Sequence, residues 1–158
     1  MILIVDDRTD TGRAQYRLVK SLDYPCQWVA NPAEALELIR AHPAGQPLLV
    51  VMDVKMPAMS GLQLLETLQS DPRTASVPVI LFSVELDERL EADARSLGAV
   101  ACLHKTGQSI EQFISTISHW YERMGGQRNT EQPPPDTIAA ASAEGATGFG
   151  SGTTEQSN

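Results

Sequence analysis

Leu48-Leu49-Val50-Val51-Met52-Asp53 is a run of five apolar residues that stops on a carboxylate. The run is strand-length, its adjacent valines favour extended backbone, and the lack of polar alternation marks a strand buried on both faces. The same phrase recurs. Ile2-Leu3-Ile4-Val5 leads into Asp6-Asp7, Val77-Pro78-Val79-Ile80-Leu81-Phe82 into Ser83, and Val100-Ala101-Cys102-Leu103-His104 into Lys105. Cys26-Gln27-Trp28-Val29 is a fifth short run.

Between these runs the apolar spacing changes to three- and four-residue steps, the mark of amphipathic helices. The spacing predicts a helix over 10–22 carrying Leu18, Val19 and Leu22. A second starts at Asn31-Pro32, with Glu34 completing a capping box, and stops near His42-Pro43. A third follows Ser60, with Gln63 as box partner, and a fourth covers 86–97 and ends at Gly98. The fifth begins at Ser109, boxed by Gln112, and runs a stripe from Ile110 through Phe113, Ile117 and Tyr121 to Met124.

Strand–helix alternation of this kind implies a parallel sheet covered on both faces, and right-handed crossovers restrict its topology. The expected fold is α/β, a flavodoxin-like doubly wound sheet of five parallel strands in the order 2-1-3-4-5 with five helices. Residues 1–124 form that domain. From Gly125 the composition turns to Gly, Pro, Ser and Thr, with Ile138 and Phe149 as its large apolar residues, so 125–158 is expected to be a disordered tail.

Formal net charge is −8, and the folded region holds 16 acidic against 11 basic residues with no basic patch, so direct nucleic-acid binding is not expected. No apolar stretch approaches the ~20 residues of a membrane span, and the first residues enter a strand rather than a signal peptide, which predicts a cytoplasmic protein. In the expected strand order Cys26 and Cys102 fall on opposite edges of the sheet, beyond disulfide reach.

In an open α/β sheet functional groups gather beyond the carboxyl ends of the strands. Asp6, Asp7, Asp53, Ser83 and Lys105 would therefore meet in one crevice, the three carboxylates flanking the switch point between strands 1 and 3. Clustered carboxylates repel unless a cation neutralises them. The donor set is all oxygen, which favours Mg2+ over zinc or copper. A carboxylate beside Mg2+ is a nucleophile toward phosphorus, and Lys105, the Ser83 hydroxyl and loop amides would stabilise the transferred group.

Across 1–124 the chain resembles the receiver domain of bacterial two-component response regulators. The matching features are Asp6-Asp7 after the first strand, Asp53-Val54-Lys55-Met56-Pro57 with Gly61 eight residues past the aspartate, Ser83 ending strand 4 and Lys105 ending strand 5. The resemblance implies phosphoryl transfer to Asp53 from a histidine kinase or histidine phosphotransfer protein. It implies Mg2+ held by Asp7, Asp53 and the Lys55 main-chain carbonyl, with Asp6 assisting through water. Lys105 would pair with the phosphoryl group and Ser83 would hydrogen-bond it, reshaping a protein-binding face of helix 4, strand 5 and helix 5 that includes Arg89, Gln112, His119 and Arg123. Such a protein modifies itself and is not a conventional turnover enzyme.

The chain departs from the family at three places. Cys102 stands where the family has an aromatic residue, three before the lysine. Thr106 replaces the proline that comes after the lysine, so a trans bond is expected. His104 precedes the lysine, turned away from it by strand alternation. Two further residues flank the site: Lys55 and Glu85, two residues past Asp53 and Ser83, should bridge the pocket mouth and slow hydrolysis of the aspartyl phosphate. The contrasting reading is a constitutive interaction module that has lost phosphorylation control. A Mg2+-dependent Asp hydrolase is disfavoured, because its second Asp would stand where Lys55 does. A piece of a longer regulator, with 125–158 as linker, is the remaining expectation.

Overall fold

The first strand, Ile2–Val5, is paired in parallel on both sides in a computed structural model that describes residues 1–107 and 109–129. In chain order the elements are β1 (Ile2–Val5), α1 (Thr9–Ser21), β2 (Cys26–Val29), α2 (Pro32–Ala41), β3 (Leu49–Met52), α3 (Gly61–Ser70), β4 (Val79–Ser83), α4 (Glu88–Ser96), β5 (Ala101–His104) and α5 (Ile110–Arg123). The five strands are parallel in the order β2-β1-β3-β4-β5, as the sequence pattern predicts.

Strand alternation sends successive side chains to opposite faces. Leu3, Val5, Val50, Met52, Val79 and Leu81 pack with Ala35, Ile39, Leu64, Leu65, Leu68 and Ala94 of α2, α3 and α4. Ile2, Ile4, Leu49, Val51, Ile80 and Leu103 pack with Val19, Phe113, Ile117 and Tyr121 of α1 and α5. Full burial of each such aliphatic side chain contributes about 1.5–3 kcal/mol. From Phe113 through Ile117 to Tyr121 the α5 stripe is thus core, with Trp120 and Met124 partly buried at its end, whereas Ile110 at its start is 65% exposed.

Cap chemistry sets several boundaries away from the expected ones. Of the three expected capping boxes, the one at α3 forms in full among the described residues, with Ser60 and Gln63 bonding reciprocally. At α2 the Asn31 side chain accepts from the Ala33 N–H, and at α5 Ser109 accepts from the Gln112 N–H, with no return bond from Glu34 or Gln112. Helix α4 begins at Glu88 rather than 86 because the Asp87 carboxylate takes the Leu90 N–H at 2.7 Å. β4 begins at Val79 rather than 77, since Pro78 has no N–H for the ladder.

Past α5, Gly126 donates to the Tyr121 carbonyl and Asn129 to the Asp23 carbonyl, returning the chain to the α1–β2 turn. The rest of the expected tail, 130–158, lies outside the described residues.

Candidate functional site

Each predicted site residue stands at or just past a strand end, and the ladder itself places it. The Asp6 N–H donates to Val29 O, the Asp53 N–H to Val5 O and the Lys105 N–H to Ser83 O, at 3.1, 3.0 and 2.8 Å. The three main chains are therefore held in register where the strands end. Gly61 lets the β3–α3 loop close on this point: a Cβ there would stand 2.2 Å from the Asp53 carbonyl oxygen, so no side chain fits.

Asp6, Asp7 and Asp53 each place a carboxylate oxygen within 4.8 Å of the others. The Lys105 Nζ donates to Asp6 Oδ2 at 2.6 Å and to Asp53 Oδ2 at 3.1 Å. This ammonium is 5 % exposed, and the two carboxylates 1 % and 8 %, so the pairs are buried ones. Asp53 Oδ1 accepts the Val54 N–H at 2.7 Å. Asp6 is the most constrained: besides Lys105, its carboxylate accepts from Thr11 Oγ1, Gln15 Nε2 and the Arg8 N–H at 2.7, 2.8 and 3.0 Å. Its carbonyl accepts from Trp28 Nε1 at 2.9 Å.

Three carboxylates against one ammonium leave an excess of two negative charges. Asp7 Oδ1 is buried without a hydrogen-bond partner. A buried oxygen without a partner is costly unless a ligand completes it. The donor set, the charge excess and this orphaned atom together fit a divalent cation bound through oxygen.

The β4–β5 side of the crevice is sparser. Ser83 is buried, but among the described residues its hydroxyl bonds only within its own loop: it accepts the Glu85 N–H at 3.3 Å and lies 3.4 Å from the Glu85 carbonyl. Lys55 Nζ and Glu85 Oε2 form an ion pair of 2.5 Å in which both side chains are about 70 % exposed, the bridge expected from their spacing. The Lys105–Thr106 bond is trans. Ser83 and His104 are cross-strand partners, and Cys102 packs on the opposite face from Leu103, against the α2–α3–α4 layer. Cys26 and Cys102 are free thiols on opposite edge strands, and burial pushes both above the usual thiol range.

An apolar recess of about 440 Å³ between α1 and α5 borders Lys105 from the other side, with Leu18, Phe82, Ile110 and Phe113 in its walls. It contains none of the three aspartates, so the charged chemistry sits in the crevice at the strand ends. Sequence reasoning missed Thr11, Gln15 and Trp28. The first two are four apart on one helical face, a spacing that puts polar groups beside Leu18 where core is expected.

A family model described as the response regulator receiver domain matches residues 2–117. The polar-differentiation response regulator DivK of Brucella anthropi is 29% identical over 119 residues, covering 75% of this chain and 94% of DivK. Protein RcaC of Microchaete diplosiphon is 29% identical over 110 residues, covering 70% of this chain and 16% of RcaC. Among solved structures, a CheY-like response regulator receiver domain protein from Methanospirillum hungatei aligns with a TM-score of 0.68 at 22% identity, covering 78% of this chain and 94% of that one. Vibrio cholerae chemotaxis protein CheY4 aligns with a TM-score of 0.65 at 20% identity, covering 75% and 96%. At these identities the structural likeness speaks to the fold alone.

Proposed function

This chain belongs to the response regulator receiver domain family of two-component signalling, and on that premise we propose that it is a Mg2+-dependent phosphoacceptor whose nucleophile is Asp53. The observation that carries the reading is the position of Asp53, its Oδ2 3.1 Å from the buried Lys105 ammonium and within the acidic cluster that includes the unpartnered Asp7 Oδ1.

Asp7, Asp53 and the Lys55 main-chain carbonyl would hold the cation, with Asp6 assisting through water. Bound there, Mg2+ would offset the excess negative charge and the charge on the phosphoryl oxygens. The donor is a phosphohistidine of a histidine kinase or histidine phosphotransfer protein. An Asp53 carboxylate oxygen attacks phosphorus in line, an O–P bond forms, and the P–N bond breaks with its electron pair returning to the imidazole. Lys105, already aimed at Asp53, neutralises a phosphoryl oxygen. The Ser83 hydroxyl leaves Glu85 and donates to another, which draws in the β4–α4 loop.

That movement would reach a downstream protein through α4, β5 and α5, including Arg89, Gln112, His119 and Arg123. The proposed function includes no nucleic acid and no membrane insertion; separately, among the described residues no helix is long and apolar enough to cross a membrane. The proposed setting is the cytoplasm. The exposed Lys55–Glu85 pair contributes about 0–1 kcal/mol to stability, so its effect would be kinetic, limiting the water that hydrolyses the aspartyl phosphate.

The engagement of Ser83 with Glu85, together with Cys102 in place of an aromatic ring, favours a second reading: a constitutive protein-interaction module. Beryllofluoride with Mg2+ separates the two. A saturable change in tryptophan fluorescence that requires both, and disappears in Asp53→Asn, supports the phosphoacceptor. No response supports the constitutive module.

A further inference from the structure

Trp28 lies on the edge strand β2, paired with Ile4, one residue before the strand ends. Its indole N–H donates to the Asp6 carbonyl at 2.9 Å. To reach that oxygen the ring crosses α1 at Gly12, where a Cβ would stand 2.2 Å from Nε1 and 2.5 Å from Cε2. Glycine is a poor choice inside a helix. Here the indole explains it, because any side chain at position 12 would push the ring away from Asp6.

The carbonyl it holds belongs to the Asp6–Asp7 peptide. That peptide is planar, so fixing the Asp6 oxygen fixes the Asp7 N–H and limits the direction in which the Asp7 side chain leaves the chain. Asp6 has other restraints, from Thr11, Gln15, Lys105 and the Arg8 N–H. Asp7 Oδ1 has none of its own. Control of Asp7 therefore comes through its main chain, and the indole acts there.

We propose that Trp28 is a positioning residue for the cation site, acting on Asp7 through the Asp6 carbonyl, with Gly12 as the opening that admits it. This rests on the reading of the acidic cluster as a Mg2+ site. Trp28 touches neither the cation nor the phosphoryl group. Outer groups that orient metal ligands commonly alter affinity without being ligands.

Calorimetric titration of the full chain with Mg2+ alone tests this, at a temperature where circular dichroism shows each variant folded. Trp28→Phe keeps an aromatic ring and removes the donor, and is expected to weaken Mg2+ binding about three- to tenfold. Gly12→Ala keeps the tryptophan, improves helix propensity and displaces the indole, and should weaken binding similarly. If both act through one hydrogen bond, the double variant binds no more weakly than Trp28→Phe. Wild-type binding with an unchanged Trp28→Phe affinity would overturn the role of Trp28 alone. A wild-type chain that binds no Mg2+ would overturn the cation reading, and this inference with it.

Discussion

On the β1–β3 side of the crevice, Asp6 accepts from two side chains of α1, from a main-chain N–H and from Lys105, and Trp28 holds its carbonyl. On the β4–β5 side, the Ser83 hydroxyl is just as buried but, among the described residues, makes only long contacts to its own loop, and the ion pair which that loop makes through Glu85 is exposed. Buried charge has to be fixed by its neighbours, since an unpaired carboxylate in low dielectric is costly. A neutral hydroxyl carries no such demand and is free to change partners. On the proposed function, the first side would hold a charge arrangement and the second would respond to it.

The largest effect should come from Lys105. In Mg2+-free buffer, Lys105→Met leaves Asp6 and Asp53 without their buried counter-charge and should lower stability by about 3 kcal/mol in urea denaturation. Ser83→Ala, at similar burial, should cost less than about 1 kcal/mol yet slow phosphorylation of Asp53 roughly tenfold, measured by stopped-flow fluorescence with a small phosphodonor. Equal stability losses for the two variants would erase the contrast between the sides.

Lys55→Ala and Glu85→Ala probe the exposed pair. Each should change the dephosphorylation rate about two- to fivefold while moving stability by less than about 1 kcal/mol. Unchanged rates in both variants would remove the gating role.

The smallest effect concerns the thiols. Thiolate is the reacting species, and burial raises both thiols above their usual range, so labelling should be slow near neutral pH and accelerate as pH rises. With Mg2+ and beryllofluoride, Cys102 on β5 should change its labelling rate about twofold, while Cys26 on the far edge serves as the unaltered control. Equal responses at both thiols would mean that the change is not confined to the β4–β5 side.

The charged residues of the crevice were legible because short, β-branched apolar runs such as Leu48–Met52, alternating with helical patterns, read as buried strands, and the residue after such a strand is placed by the ladder. The Lys55–Glu85 bridge was legible from equal spacing after Asp53 and Ser83. Thr11, Gln15 and Trp28 were not. Each reaches Asp6 from another element, at separations of 5, 9 and 22 residues; the shared helical face of Thr11 and Gln15 was a signal, but local periodicity does not say which distant group an inward-turned polar side chain meets. The α4 start was missed for a related reason: the apolar stripe includes Leu86, while the Asp87 carboxylate decides where hydrogen bonding begins.

Whether Asp53 accepts a phosphoryl group is decided by intact mass after incubation with Mg2+ and acetyl phosphate. The expected result is a gain of one phosphoryl group that is lost in Asp53→Asn and when Mg2+ is withheld. A wild-type mass that stays unchanged, or a gain that persists in Asp53→Asn, would contradict the assignment.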